Sequence, residues 1–146
     1  MFRIEAEVDK ARRDLLRSRL RDTNTAASPV LRALRGERER DVPLHLWAMD
    51  DTDDLAGGLV GHTWAGWLHI TYLWVAAPHR GTGLGSHLLT QAEHLAHTDR
   101  SCTAARVETW DFQAPDFYRK QGYEVACTIP DYPPGLTEYT LIKRLG

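Results

Sequence analysis

Arg80-Gly81-Thr82-Gly83-Leu84-Gly85-Ser86 joins an apolar run (Leu68, Ile70, Tyr72, Leu73, Trp74, Val75) to an amphipathic one that begins at Leu84. A glycine turn that opens a helix leaves backbone N–H groups unpaired at the positive end of the helix dipole. Glycines let phosphate oxygens approach the main chain, and Arg80 adds a fixed positive charge. The chemistry implied is the binding of a diphosphate. Two nucleotide folds do not fit the pattern. A P-loop needs Gly-Lys-Ser/Thr, which is absent, and a dinucleotide fingerprint needs glycine where Ser86 stands.

The elements that must position this turn follow from the pattern on either side. Phe2 to Val8 alternates apolar and charged residues like a strand, and Asp9 is a plausible cap for a helix with Ala11, Leu15, Leu16 and Leu20 on one face. Ser28-Pro29 marks a second helix start. Leu44 to Met49, Leu59 to Trp64 and Gly66 to Val75 predict a three-strand meander, with the acidic turn Asp50 to Asp54 joining the first two. After the glycine turn, Leu84, Leu88, Leu89, Ala92, Leu95 and Ala96 share one helical arc. Ala104 to Trp110 predicts a strand, Pro115 to Gln121 a short helix capped by Gly122, and Tyr123 to Ile129 with Glu138 to Lys143 a final pair. Pro133-Pro134-Gly135 suits the connecting turn. The reading is one α+β domain over residues 1–146.

Composition narrows the classes. The chain has 146 residues, 42% of them hydrophobic, and a formal net charge of −2, which gives no push toward nucleic acid or a membrane. No apolar run approaches the roughly 20 residues of a spanning helix, and no targeting signal stands out, so the expected address is the cytoplasm. Cys102 and Cys127 lack a partner motif and read as free thiols of a reducing compartment.

The pattern Arg80-Gly81-Thr82-Gly83-Leu84-Gly85 resembles the acetyl-coenzyme A signature of the GNAT N-acetyltransferase superfamily. The lead-in Leu73 to Pro78 is similar to that family's strand. So is the later stretch VETWDFQAPDFYRKQGYEV, through the spacing of Ala114, Tyr118 and Gly122-Tyr123. Two motifs in order are more specific than either alone.

The resemblance implies a mixed, mostly antiparallel sheet flanked by helices and splayed at its middle strands. It also implies acetyl-coenzyme A as cofactor. The diphosphate would rest on the N–H groups of Gly81, Gly83, Leu84, Gly85 and Ser86, with Arg80 and Thr82 in the same loop. The pantetheine arm would lie along Leu73, Trp74 and Val75 as an added strand. An amine would then attack the thioester directly in a ternary complex, helped by a backbone N–H near Val75. Tyr118 falls where many members carry the acid that protonates the leaving thiolate.

Other residues carry a bland reading beside the functional one. Glu108, in a strand expected to be buried on both faces, suits a general base, and an ion pair with an arginine explains it as well. His62 and His69 lie on strands near the acceptor side, where a satisfied structural histidine accounts for each singly. His87, His94 and His97 fall outside the apolar arc and give no metal site. The arginine-rich stretch Arg12 to Arg40 reads as solvated helix faces. Trp64 and Trp110 offer aromatic walls, and Trp110-Asp111 and Asp131-Tyr132 stand at strand ends where a cationic acceptor would enter. Asp111 occupies a region where the family often has Asn, which points it toward the acceptor.

Asp131 to Gly135 with Tyr139, Leu141 and Lys143 looks like a subgroup of small bacterial members, some of which acetylate amino-sugar antibiotics. The expected partner is a small-molecule amine of amino-sugar or polyamine type, with no nucleic acid and no membrane, and a homodimer is compatible. A protein or peptide acetyltransferase and a non-catalytic acyl-coenzyme A sensor are the alternatives.

Overall fold

The computed structural model describes residues 1–34 and 38–146, and it divides into two compact units, Met1–Leu34 and Arg35–Gly146. In the first unit α1 spans Lys10–Ala27 and α2 spans Pro29–Ala33. Asp9 caps α1 by accepting from the Arg12 N–H at 2.9 Å, and Ser28 caps α2 by accepting from Leu31 at 3.2 Å. Phe2–Val8 forms no strand, contrary to the alternation of its sequence. Alternation shows that a segment suits a half-buried edge, but a strand also needs a partner, which sequence periodicity does not supply. Arg35, Gly36 and Glu37 of the arginine-rich stretch lie outside the described residues.

The second unit holds six strands: β1 (Val42–Met49), β2 (Leu55–Trp64), β3 (Trp67–Val75), β4 (Ala104–Trp110), β5 (Glu124–Ile129) and β6 (Glu138–Arg144). They form one sheet in the order β1-β2-β3-β4-β6-β5, antiparallel except where β3 and β4 run parallel. Helices α3 (Leu84–Arg100) and α4 (Pro115–Lys120) pack on one face. Leu88, Leu89, Ala92 and Ala96 of α3 meet Leu59, Leu68, Ile70, Val107 and Leu141 of the sheet in one buried cluster. Full burial of each leucine or isoleucine side chain contributes about 1.5–3 kcal/mol, so this face carries the stability of the unit.

Two irregularities shape the middle of the sheet. The β2–β3 register shifts between Val60 and Gly61, leaving Thr71 without a partner on β2. Gly61 permits this: a Cβ there would lie 2.6 Å from the His69 carbonyl oxygen. In addition, β3 pairs with β4 only from Trp67↔Ala104 to Ile70↔Val107. Beyond Ile70 the two strands part, leaving one backbone edge of Thr71–Val75 without a ladder. The splayed, mostly antiparallel α+β sheet is the one the family resemblance implies.

Candidate active site

The glycine turn stands at the wide end of this parting. Gly81 and Gly83 hold φ of +75° and +88°, the left-handed region that side chains avoid, and the space a Cβ would occupy at each is open. Gly83 is the N-cap of α3 and brings no side-chain bond to the helix end. The first helical bond runs from the His87 N–H to the Gly83 carbonyl at 2.9 Å, so Leu84, Gly85 and Ser86 lack an intrahelical acceptor for their N–H groups. This is a concave donor surface on a positive dipole end.

The flanking side chains fix the loop and leave it accessible. Arg80 donates from Nε to the Val75 carbonyl at 3.0 Å, tying loop to strand and leaving the other donors of its guanidinium for a ligand. Thr82 Oγ1 donates to the His79 carbonyl at 2.6 Å, and Ser86 Oγ donates to Gln121 Oε1 at 2.9 Å. A depression of about 380 Å³ lined by Met49, Asp50, His79, Gly83 and His87 adjoins the turn. The acidic turn Asp50 to Asp54 is held together by its own groups. Asp50 accepts from the N–H groups of Asp54 and Thr52, and the Asp54 N–H is the main reason its carboxyl is held below the usual range.

Tyr118 lies in the buried cluster on the α3 face, only 5% exposed. Its hydroxyl has no hydrogen bond to another described residue, yet no buried side-chain polar atom among the described residues lacks a partner. The ring is therefore enclosed while the oxygen reaches solvent. Burial pushes the phenol up to about 12.

Glu108 departs from expectation. It is not buried on both faces: it lies opposite α3, out of phase with buried Val107 and Thr109, with 29% of its side chain exposed. It meets His69 Nε2 at 2.8 Å through Oε2, and Arg106 at 2.8 Å through Oε1. Burial acts to raise its carboxyl, but the bonds and charges of His69 and Arg106 prevail and leave it below the usual range. The ion pair with an arginine is present, and a histidine contact stands beside it.

The remaining acceptor-side residues fall into two groups. His62 and Trp64 line a cleft of about 520 Å³ with Trp67, His69 and Arg106. Trp110, Asp111, Asp131 and Tyr132 gather instead where β4 ends beside the β5–β6 connection. Trp110 Nε1 donates to the Tyr132 carbonyl at 2.7 Å. Asp111 accepts from the Thr137 N–H at 3.2 Å and Asp131 from the Gly135 N–H at 3.4 Å, so both acids hold loops as well as offering charge. Sequence reasoning missed Glu93. It is buried in α3, accepting from the Tyr123 hydroxyl at 2.7 Å and from Lys143 at 2.9 Å. An acid beside the apolar arc was the only signal.

His87, His94 and His97 are exposed on α3, and no group of three or more metal-ligating side chains occurs among the described residues. Cys102 is buried and Cys127 exposed, both free. No helix is long and apolar enough to cross a membrane among the described residues.

Comparison with known proteins agrees with the geometry. Residues 9–123 match the model of the acetyltransferase (GNAT) family. The chain is 49% identical over 131 residues to a blasticidin-S acetyltransferase of Streptomyces morookaense, covering 87% of this chain and 96% of that one. A crystal structure of an acetyltransferase from Bacillus cereus superposes with a TM-score of 0.84 at 26% identity over 98% of both chains. A protein from Bacillus anthracis described as a streptothricin acetyltransferase, crystallised with acetyl coenzyme A, shares the fold at a TM-score of 0.64 and 17% identity, over 80% of this chain and 72% of that one.

Proposed function

Because the chain belongs to the GNAT acetyltransferase family and is an N-acetyltransferase, we propose that it moves the acetyl group of acetyl-coenzyme A to a primary amine of a small antibiotic-like molecule, in one ternary complex. The observation that carries this reading is the parting of β3 from β4 directly before the glycine turn. The residues present fit the cofactor. The donors of Gly81 to Ser86 and Arg80 suit a diphosphate, and the unladdered edge of Leu73, Trp74 and Val75 suits an amide-bearing arm. Val75 lies five residue steps beyond Ile70, about 16 Å at the rise of a strand, a length an extended pantetheine can span. The cofactor supplies the activated acyl group.

On this reading Tyr118 stands on one face of the sheet and the bonded pair of Glu108 and His69 on the other, so the acid and the basic side flank the thioester from opposite sides. Tyr118 protonates the leaving sulfur, Glu108 belongs to the basic side, and a free N–H of Thr71–Val75 steadies the oxyanion. Trp64 with His62 in the cleft, and Trp110 and Tyr132 with Asp111 and Asp131 where β4 ends, are two places that offer rings to a cationic acceptor.

The likeness to the blasticidin-S enzyme puts that antibiotic first among acceptors, followed by streptothricins, aminoglycosides, polyamines and a peptide amine. Thiol release from acetyl-coenzyme A should rise with one of the small amines. Release with the peptide alone would make it a protein acetyltransferase. Cofactor binding with no release across a broad panel would make it a sensor.

A further inference from the structure

The parting of the strands has an apex. Ile70 and Val107 are the last residues of β3 and β4 to pair, His69 precedes the first, and Glu108 follows the second. Both side chains lie opposite α3. We propose that His69 is the catalytic residue that takes the proton from the acceptor amine, with Glu108 and Arg106 as the positioning residues behind it. The proposal rests on the transferase reading above.

The ring's tautomer follows from its partner. An ionised carboxylate only accepts, so His69 Nε2, 2.8 Å from Glu108 Oε2, carries a proton, and in the neutral ring it is Nδ1 that offers the lone pair. The other carboxylate oxygen is held by Arg106 at 2.8 Å. A carboxylate engaged on both oxygens, and held below its usual range, is a poor acceptor for an ammonium proton, whereas a neutral imidazole is better matched. The arrangement follows the logic in which an acid orients a histidine and the histidine moves the proton.

The surroundings offer a substrate aromatic walls. His69 lines the 520 Å³ cleft, which Trp64 and Trp67 also wall. The groups facing it are Glu108 and Arg106 from β4 and His62 from β2, whose ring lies 5.1 Å from that of His69. Asp41 reaches His62 at 4.0 Å, and β6 offers the uncharged Thr140 opposite Glu108.

The step balances as follows. His69 Nδ1 removes one proton from the ammonium, and the freed lone pair forms the C–N bond. The C–S bond breaks, Tyr118 gives its proton to sulfur, and the surplus proton on nitrogen restores the tyrosine through solvent. His69 then releases its proton, so one proton leaves per turnover.

The test uses the full chain with an acceptor that the wild type acetylates, so failure of the transferase reading would already be evident as no turnover. His69→Gln should lower kcat/KM about 10²–10³-fold near neutrality while acetyl-coenzyme A affinity, read by calorimetry, is unchanged. The loss should shrink at high pH, where the amine sheds its own proton. His69→Ala should regain part of its rate with added imidazole, and Glu108→Gln should lose less than His69→Gln. A His69→Gln enzyme with wild-type rate and pH profile would overturn the proposal. So would a loss that is constant with pH and unmoved by imidazole in an enzyme that still binds cofactor, or a larger loss in Glu108→Gln.

Discussion

The rings of Tyr118 and Tyr123 meet edge to face with centroids 5.5 Å apart, yet their hydroxyls have opposite circumstances. Tyr123 gives its proton to a bond with buried Glu93 at 2.7 Å, whereas the Tyr118 hydroxyl has no partner among the described residues. One tyrosine is anchored and the other is available.

Replacing Tyr118 with Phe should therefore cut kcat about 10²-fold and leave acetyl-coenzyme A affinity within about twofold. Burial keeps the phenol protonated up to about pH 12, so this group contributes no alkaline fall in rate at ordinary pH. Steady-state kinetics beside calorimetry checks both; unchanged kcat removes Tyr118 as the acid.

Gly83→Val places a β-branched side chain at φ +88°, where the strain is of order 1–3 kcal/mol. The space beyond is open, so the expected damage is to the aim of the N–H groups rather than to packing. Acetyl-coenzyme A should bind at least tenfold more weakly by calorimetry. Equal affinity would sink the diphosphate assignment.

The Glu93 site is a matter of stability. Glu93→Ala strands the Tyr123 hydroxyl and the Lys143 ammonium, and should cost about 3 kcal/mol. For a chain of this size that lowers Tm by roughly 6–12 °C. Tyr123→Phe leaves the Lys143 contact and should cost about 1 kcal/mol. Thermal melts in which Glu93→Ala is no worse than Tyr123→Phe would contradict this ranking.

The lowered carboxyl of Glu108 carries a signed pH dependence. Between the ordinary value of 4.5 and the lower native one, the unfolded chain binds more protons at this site than the native chain. Stability from the group is thus complete above about pH 4.5 and disappears as the pH falls through the native value. Urea melts of wild type and Glu108→Gln should converge as the pH is lowered. A gap that stays constant or widens would refute the linkage.

Much of this was legible in the sequence because the signals are local. Asp9, Ser28-Pro29, Gly83 and Gly122 announce helix ends within a few residues of where they act. The glycine turn announces itself in the same way. What escaped depends on distant parts of the chain. Glu93 finds Tyr123 and Lys143 across 30 and 50 residues, and His69 finds Glu108 across 39. The half-exposure of Glu108 was hidden because its strand is central in the sheet, while α3 and α4 cover the same single face. Phe2–Val8 has a strand's alternation, but pairing depends on an edge elsewhere.

The short β3–β4 ladder also bears on how the protein holds together. Among the described residues the ladder that joins β1–β3 to β4–β6 has four residue pairs, so the sheet resembles two leaves with a narrow hinge line between them. A pantetheine bonded to β3 in the gap would act as mortar, closing with the cofactor's own amides what the polypeptide leaves open. Saturation at a hundredfold excess over Kd would add about 2.7 kcal/mol to the folded state. Amide exchange should slow most at Thr71 to Val75, making the acyl donor a temporary member of the fold that consumes it.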